Sequence, residues 1–470
     1  MTSKQPSLPI ADPVSSAETP VLSTLELDGR RRWLYPRLAM GTWWRWRRIV
    51  AYALMVIFVL IPHLRIGGKP VLLLDVTARR FTILGKTFLP TDTVPFVLLW
   101  LGIFLSIVLI TAVAGRVWCG WGCPQTVYME YLFRPIDRLF EGTVGKGGLP
   151  RRDRSPLWQV ARVAVYVVLC MFLAHTFLAY FVGTERLAQW MRASPLEQPA
   201  AFLVMAGTTV AMLFDFLYFR EQMCTLACPY GRLQSVMLDS QSLIVAYDPV
   251  RGEPRKKGKH APGDNAGDCV DCNRCVVVCP TGIDIRDGLQ MECINCTQCI
   301  DACDDVMRRV GTPTGLIRYS SQDAIAGKPQ KLWRLRTVLY PLILLVVFAA
   351  FTWALLSMRG FDAQIVRGRG APFSMTTVGV VSNSYQVRLL NRSEQPQTYR
   401  LSLADAEGAT LSVIDAERLT LEPDQRQAIP LTVSFPIHLT LGQGSHAAGL
   451  VVSDEQGNQR ELKLQLIGPR

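Results

Sequence analysis

The sequence predicts a membrane protein: a five-helix transmembrane bundle, a compact cysteine-rich module ahead of the last helix, and a C-terminal all-β immunoglobulin-like sandwich. Three observations carry this reading. There are five long apolar runs, eight cysteines confined to residues 269–303, and short alternating runs over residues 372–470.

Of 470 residues, 49% are hydrophobic and 19% charged, less charge than an ordinary soluble domain carries. The net charge of +12 is large enough for a nucleic-acid binder. Many of the Lys and Arg residues, however, flank the apolar runs, as the positive-inside bias requires. The expected partner is the lipid bilayer, with no nucleic acid.

The apolar runs cover roughly 48–64, 94–115, 158–182, 199–219 and 335–358. Four reach the ~20 residues needed to cross hydrocarbon. The first is shorter, and Trp43, Trp44 and Trp46 ahead of it read as an interfacial anchor. Segment 30–48 holds seven Arg and loop 116–157 seven Lys plus Arg, against five in 65–93 and two in 183–198. This asymmetry predicts a multi-pass protein of the bacterial inner (cytoplasmic) membrane, with a cytoplasmic N-terminus and a periplasmic C-terminus. Arg359, Arg367 and Arg369 run against the bias but are outvoted.

Five regions follow: a polar tail and interfacial segment over 1–47, helices one to four over 48–219, a cytoplasmic module over 220–334, helix five over 335–358, and a periplasmic sandwich over 359–470. Residues 1–29, rich in Ser, Thr and Pro without an apolar core, read as a flexible tail and not a signal peptide. In the last region seven strands are expected, at 376–381, 385–390, 398–403, 411–414, 429–435, 447–452 and 461–467.

The most specific pattern is Cys269-x2-Cys272-x2-Cys275-x3-Cys279-Pro280, followed by Cys293-x2-Cys296-x2-Cys299-x3-Cys303. This is the spacing of a bacterial two-cluster ferredoxin, in which three thiolates of one run close on a cubane and the fourth comes from the other run. One 4Fe–4S cluster is therefore expected on Cys269, Cys272, Cys275 and Cys303, and a second on Cys293, Cys296, Cys299 and Cys279. Zinc sites rarely repeat four cysteines at this spacing. Asp304 stands where a second proline is usual. Clustered thiols of this kind belong to a reducing compartment.

A weaker repeat follows spans two and four: Cys119-Gly-Trp-Gly-Cys123-Pro124 and Cys224-Thr-Leu-Ala-Cys228-Pro229. These four thiols are candidate catalytic residues. Brought together, they suit a soft metal such as Cu(I), or a dithiol relay; as bland alternatives, each is a small residue at a Pro-terminated helix exit. Cys170, Met205, Met212 and Met223 read as apolar filler. His63 and His175 are too few to pair around membrane haems. Asp215 near the end of span four is costly there and stays open. Arg255-Lys256-Lys257-Gly-Lys259 reads as a solvated or headgroup patch.

With these motifs in place, the chain resembles the CcoG family, also called FixG or RdxA, of cytochrome c oxidase accessory proteins. The resemblance covers nearly the whole chain after residue 30. It includes Tyr35-Pro36-Arg37, the loop from Val71 to Asp75 and on to Arg79-Arg80-Phe81, and Trp118 before the first C-x3-C-P pair. It further includes Tyr230-Gly231-Arg232 after the second pair, both ferredoxin runs and the terminal sandwich. The resemblance implies assembly of a cbb3-type oxidase, with Cu(II) reduced to Cu(I) on the cytoplasmic side. Its implied partners are a cytoplasmic electron donor, copper ions and oxidase assembly factors; homodimer formation stays open. An alternative is a quinol-oxidising ferredoxin subunit like that of periplasmic nitrate reductase, against which the fifth span and sandwich count. A scaffold with structural or sensing clusters is the third reading.

Overall fold

The computed structural model describes residues 23–469 apart from 27, 29, 79, 89–92, 145–148, 151–154, 259–265, 330–333, 358–359, 369, 378, 394, 415–418 and 424. Most of the expected tail, with Arg79, Lys259, Arg359 and Arg369, lies outside the described residues. The chain divides into two compact units, Met1–Ala350 and Phe351–Arg470.

Within the described residues of the chain, five helices are long and apolar enough to cross a membrane: Thr42–His63, Thr93–Ala114, Pro156–Val182, Pro199–Phe219 and Leu335–Leu356. A helix satisfies its own backbone hydrogen bonds, which a spanning segment requires. The third span is the most enclosed, with 44% of its apolar window buried against 6% to 17% for the others. Its Tyr166, Cys170 and Leu173 pack with Phe133 and Phe216.

The first span begins at Thr42, seven residues before the start of its apolar run at Ile49, so Trp43, Trp44 and Trp46 lie in its opening turns. Gly41 supplies no capping side chain. The cap comes instead from Asp301, whose carboxylate accepts from the backbone N–H groups of Trp43 (3.2 Å) and Trp44 (2.7 Å). An anion there satisfies orphan donors and suits the positive helix end. A Cβ on residue 41 would lie 2.1 Å from the Asp301 carboxylate, so only glycine leaves room for the cap.

Between spans one and two, strands Leu72–Asp75, Arg80–Ile83 and Lys86–Phe88 form an antiparallel sheet. Between spans four and five, Ile244–Tyr247 pairs with Ile317–Ser320 and closes the chain segment that holds all eight clustered cysteines. Val245, Ile283, Ile285, Ile300 and Met307 fill the core of this module. The end of the expected free tail is held against it: Ser23 Oγ donates to the Thr281 carbonyl (2.7 Å), and Arg37 N to the Val277 carbonyl (3.0 Å).

Past the end of the fifth span, the second unit is built on β-strands. One antiparallel sheet runs Phe361–Arg367, Val380–Asn391, Arg426–Pro436, Thr410–Val413, with Ser374–Thr377 pairing Val380–Asn391; the other joins Arg400–Ala404, Ser445–Ser453 and Gln459–Ile467. Leu389, Leu431, Val433, Leu450 and Leu466 are fully buried in one core. Two sequence expectations need correction. The strand expected at 376–381 falls on two strands, Ser374–Thr377 and the start of Val380–Asn391, and the latter runs on through Ser382-Asn383-Ser384 into the strand expected at 385–390; Asn383 there is buried and bonds both the N–H (2.7 Å) and the C=O (2.8 Å) of Ile467. Satisfying both backbone groups removes the cost of burying that amide. The strand Phe361–Arg367 was not expected, because its arginine reads as a membrane flank.

Replacing Leu389 with Ala should destabilise this unit by about 2–5 kcal/mol. Limited proteolysis of the full chain should then cut within 361–467 while the visible chromophore of the cysteine-rich module is unchanged.

Candidate metal centre

The two cysteine runs make the same backbone turn. Asp271 and Asn273 in the first, and Asn295 and Thr297 in the second, stand at matching positions and all adopt left-handed backbone, with φ of 47°, 55°, 54° and 63°. Asp and Asn tolerate that region; a β-branched threonine rarely does. Thr297 is held there by full burial and by its hydroxyl bonding the Cys296 carbonyl at 2.7 Å. The runs then diverge. Helix Arg274–Val277 ends before Pro280, whereas Gln298–Val310 continues through Cys303. Asp304, in the place of a proline, lets the helix run on and accepts from Gly315 N at 2.9 Å.

Cys269, Cys272, Cys275 and Cys303 line one cavity with Tyr247 and Arg286. Cys279 lies close enough to Cys293, Cys296 and Cys299 to act on each electrostatically. Cys303 of the second run thus sits with the thiols of the first, and Cys279 of the first run sits near those of the second. Burial pushes Cys275, Cys296 and Cys303 up to about 12 and Cys293 to about 11. Such thiols ionise readily once a bound metal takes up the charge. Paired cages of buried soft donors fit 4Fe–4S clusters, whose thiolate ligands are set wider than a single ion needs. Among the described residues, no group of three His, Cys, Asp or Glu closes to single-ion distance.

The four C-x3-C-P thiols also face one another. Cys123 and Cys228 each cap a Pro-started helix, Pro124–Tyr128 and Pro229–Met237. Single π-helical turns flank the motifs at Met129–Phe133, Asp215–Phe219 and Met223–Ala227, a deformation common at functional sites. Burial pushes Cys119 up to about 12 against the pull of Arg116, and Cys123 and Cys228 add to the rise. Cys224 is raised by burial first, then by Cys123, Cys119 and Cys228. Cys119 Sγ donates to Gln234 Oε1 at 3.0 Å. Gln234 Nε2 is fixed in turn by the Gly115 carbonyl (3.1 Å) and the Tyr230 hydroxyl (3.1 Å). Gln125 bridges the Asp215 carboxylate (3.1 Å) and the Arg220 carbonyl (3.0 Å).

The thiol motifs dock directly on the second cysteine run. Arg47, 1% exposed, donates Nε and Nη2 to the Gly120 carbonyl at 3.0 and 2.9 Å. Arg116 bonds the Cys293 carbonyl at 2.9 Å and also reaches the Met291 and Gly231 carbonyls. Sequence reasoning missed Arg47, Arg116 and Gln234; the two arginines were visible only as charges beside apolar runs. Of the weaker candidates, Cys170 and Met212 pack in an apolar cluster, and Met205 joins Leu178 and Leu187. His175 bonds the Met171 carbonyl of its own helix.

Arg286 clamps the first run, bonding Asp284 (2.6 to 3.1 Å), Asp271 (2.8 Å) and Asn273 (2.6 Å). Burial alone would raise the Asp284 carboxyl, but hydrogen bonds from Arg286 hold it below the usual carboxylate range.

Comparison with known proteins places these features in one group. Residues 219–322 match a family model described as a 4Fe-4S dicluster domain, and 96–145 one described as a 4Fe-4S binding domain. Residues 351–469 match a model for the IG-like fold at the C-terminal end of FixG. The nitrogen fixation protein FixG of Rhizobium meliloti is 30% identical over 488 residues, covering 92% of each chain. Protein RdxA of Cereibacter sphaeroides is 33% identical over 447 residues, covering 90% of this chain and 92% of its own. Protein RdxB of the same organism is 32% identical over 459 residues, covering 92% and 93%.

Arg286→Gln should speed release of iron to a chelator at neutral pH. Arg334→Gln, which breaks the 2.9 Å pair with Asp239 away from both runs, should leave that rate unchanged.

Proposed function

Because this chain belongs to the FixG/RdxA family of membrane-associated 4Fe–4S electron-transfer proteins, we propose that it reduces Cu(II) to Cu(I) in the assembly of a cbb3-type oxidase. The observation that carries the reading is the seating of four soft thiols on a cluster-binding loop at the ends of spans two and four. Bound 4Fe–4S clusters supply single electrons at low potential. Cys269, Cys272, Cys275 and Cys303 hold one, and Cys279, Cys293, Cys296 and Cys299 the other.

Cys119, Cys123, Cys224 and Cys228 receive copper as substrate. Thiolates bind Cu(I) in preference to harder ions, so their binding energy favours the reduced product. Gln234 orients Cys119, and Arg116 lowers the cost of its thiolate. The basic flanks of spans one and two support an orientation with the N-terminus and the module in the cytoplasm and the β unit in the periplasm, as a docking surface for assembly partners. A quinol-oxidising role gains no support from the C-terminal unit.

Anaerobically purified protein should carry about eight irons and eight sulfides per chain. Replacing all four C-x3-C-P cysteines with Ser should abolish Cu(II) reduction by the dithionite-reduced protein while the iron–sulfur absorbance remains. Undiminished reduction in that variant would reject the proposed copper site.

A further inference from the structure

The geometry points to a fixed order for the electrons: they enter at the Cys269/Cys272/Cys275/Cys303 set and leave only through the Cys279/Cys293/Cys296/Cys299 set, across the contact between Gly120 and Asn295. This rests on the copper reading for its acceptor.

The two cysteine sets are not equivalent. In the first set Cys272 is exposed, Cys269 and Cys303 are part-buried, and Cys275 is buried. In the other set Cys293 and Cys296 are buried, and Cys279 and Cys299 are part-buried. The buried set is the one against the membrane-edge thiols. Gly120 lies between Cys119 and Cys123, and a Cβ there would stand 2.6 Å from the Ile294 carbonyl oxygen and 2.8 Å from that of Asn295. Ile294 and Asn295 lie between Cys293 and Cys296. The two metal-binding loops therefore touch backbone to backbone, a closeness only glycine permits.

Two further links cross the same contact. Trp121 Nε1 donates to the Tyr319 hydroxyl at 3.1 Å, and that hydroxyl donates to the Asn295 carbonyl at 3.2 Å. Arg116 holds the Cys293 carbonyl and, through its other nitrogen, the Gly231 carbonyl just beyond Cys228. One side chain thus ties the buried set to both C-x3-C-P motifs. This direct contact of the second cysteine run with the thiol loop sets the exit.

The step balances without proton or atom transfer. A one-electron reductant gives one electron to the outer set, the electron moves to the inner set, and Cu(II) on the thiols becomes Cu(I). Gly120, Trp121 and Tyr319 are positioning residues in this scheme.

The test uses full-length protein reduced with dithionite, freeze-quenched after mixing with Cu(II), and read by the EPR signals of the reduced clusters. Cys303→Ser removes a ligand of the outer set and should lose that set's signal, while the inner-set signal that remains should still be discharged on mixing. Cys299→Ser, which keeps the outer set, should be reduced by dithionite yet stay reduced after mixing. Gly120→Ala keeps both ligand sets and should slow discharge by up to about a hundredfold, the cost of a displacement near 1 Å to a pre-set geometry. A second readout needs no copper: dysprosium–EDTA should relax the signal of Cys299→Ser far more than that of Cys303→Ser. Prompt discharge of Cys299→Ser, or the reverse order of dysprosium effects, overturns the proposal. If Cu(II) discharges neither signal in the wild type, the copper reading falls, and the dysprosium comparison still decides which set faces the donor.

Discussion

Arg47 is a charged side chain with 1% of its surface exposed, near the start of the first span. Burying a guanidinium is costly unless its donors are met. Two of them converge on a single acceptor, the Gly120 carbonyl, with the Tyr131 ring 5.5 Å from the guanidinium carbon. That carbonyl belongs to the loop between Cys119 and Cys123. Losing the bond would strand a cation at the membrane edge, so the first span and the thiol loop are held in one register. Asp301 acts in the same sense from the module side by capping the helix that carries Arg47. Span, thiol loop and cysteine-rich module are thereby locked together by groups that cannot afford to be unpaired.

The second motif is held by ionic contacts of the same character. Arg31 pairs with Glu221 at 3.0 Å, Arg134 with Glu130, and Arg220 with Asp137 at 2.9 Å, all largely buried. Desolvation offsets most of what such pairs gain, so they are weak stabilisers but strict about geometry. Glu221 and Arg220 immediately precede the Cys224 motif, which makes the pairs a means of placing Cys224 and Cys228 opposite Cys119 and Cys123. Electron transfer needs that strictness more than it needs stability, because the distance between donor and acceptor sets the rate.

What the sequence made legible was local. The 2-2-3 cysteine spacing is a property of a few consecutive residues, and the left-handed turns at Asp271, Asn273, Asn295 and Thr297 show how that spacing folds. Span number and the β character of the last hundred or so residues are likewise carried by short-range periodicity. The missing parts were long-range. Arg47 and Arg116 looked like flank charges because their partners, Gly120 and Cys293, are distant in the chain. Strand Phe361–Arg367 was hidden by its position beside a span, and the break expected before Tyr385 was absent because Asn383 finds its partners on Ile467. The two cysteine runs were readable, whereas the seating of the second of them on the thiol loop was not.

The central claim is that the clusters and the four membrane-edge thiols form one electron path ending on copper. Stopped-flow mixing of the dithionite-reduced protein with Cu(II) and a Cu(I)-specific chromogenic chelator tests it most directly. The account predicts that cluster absorbance recovers and the Cu(I) complex appears with the same rate constant, one copper per electron. Cu(I) formed while the clusters stay reduced, or clusters reoxidised without Cu(I), would contradict it.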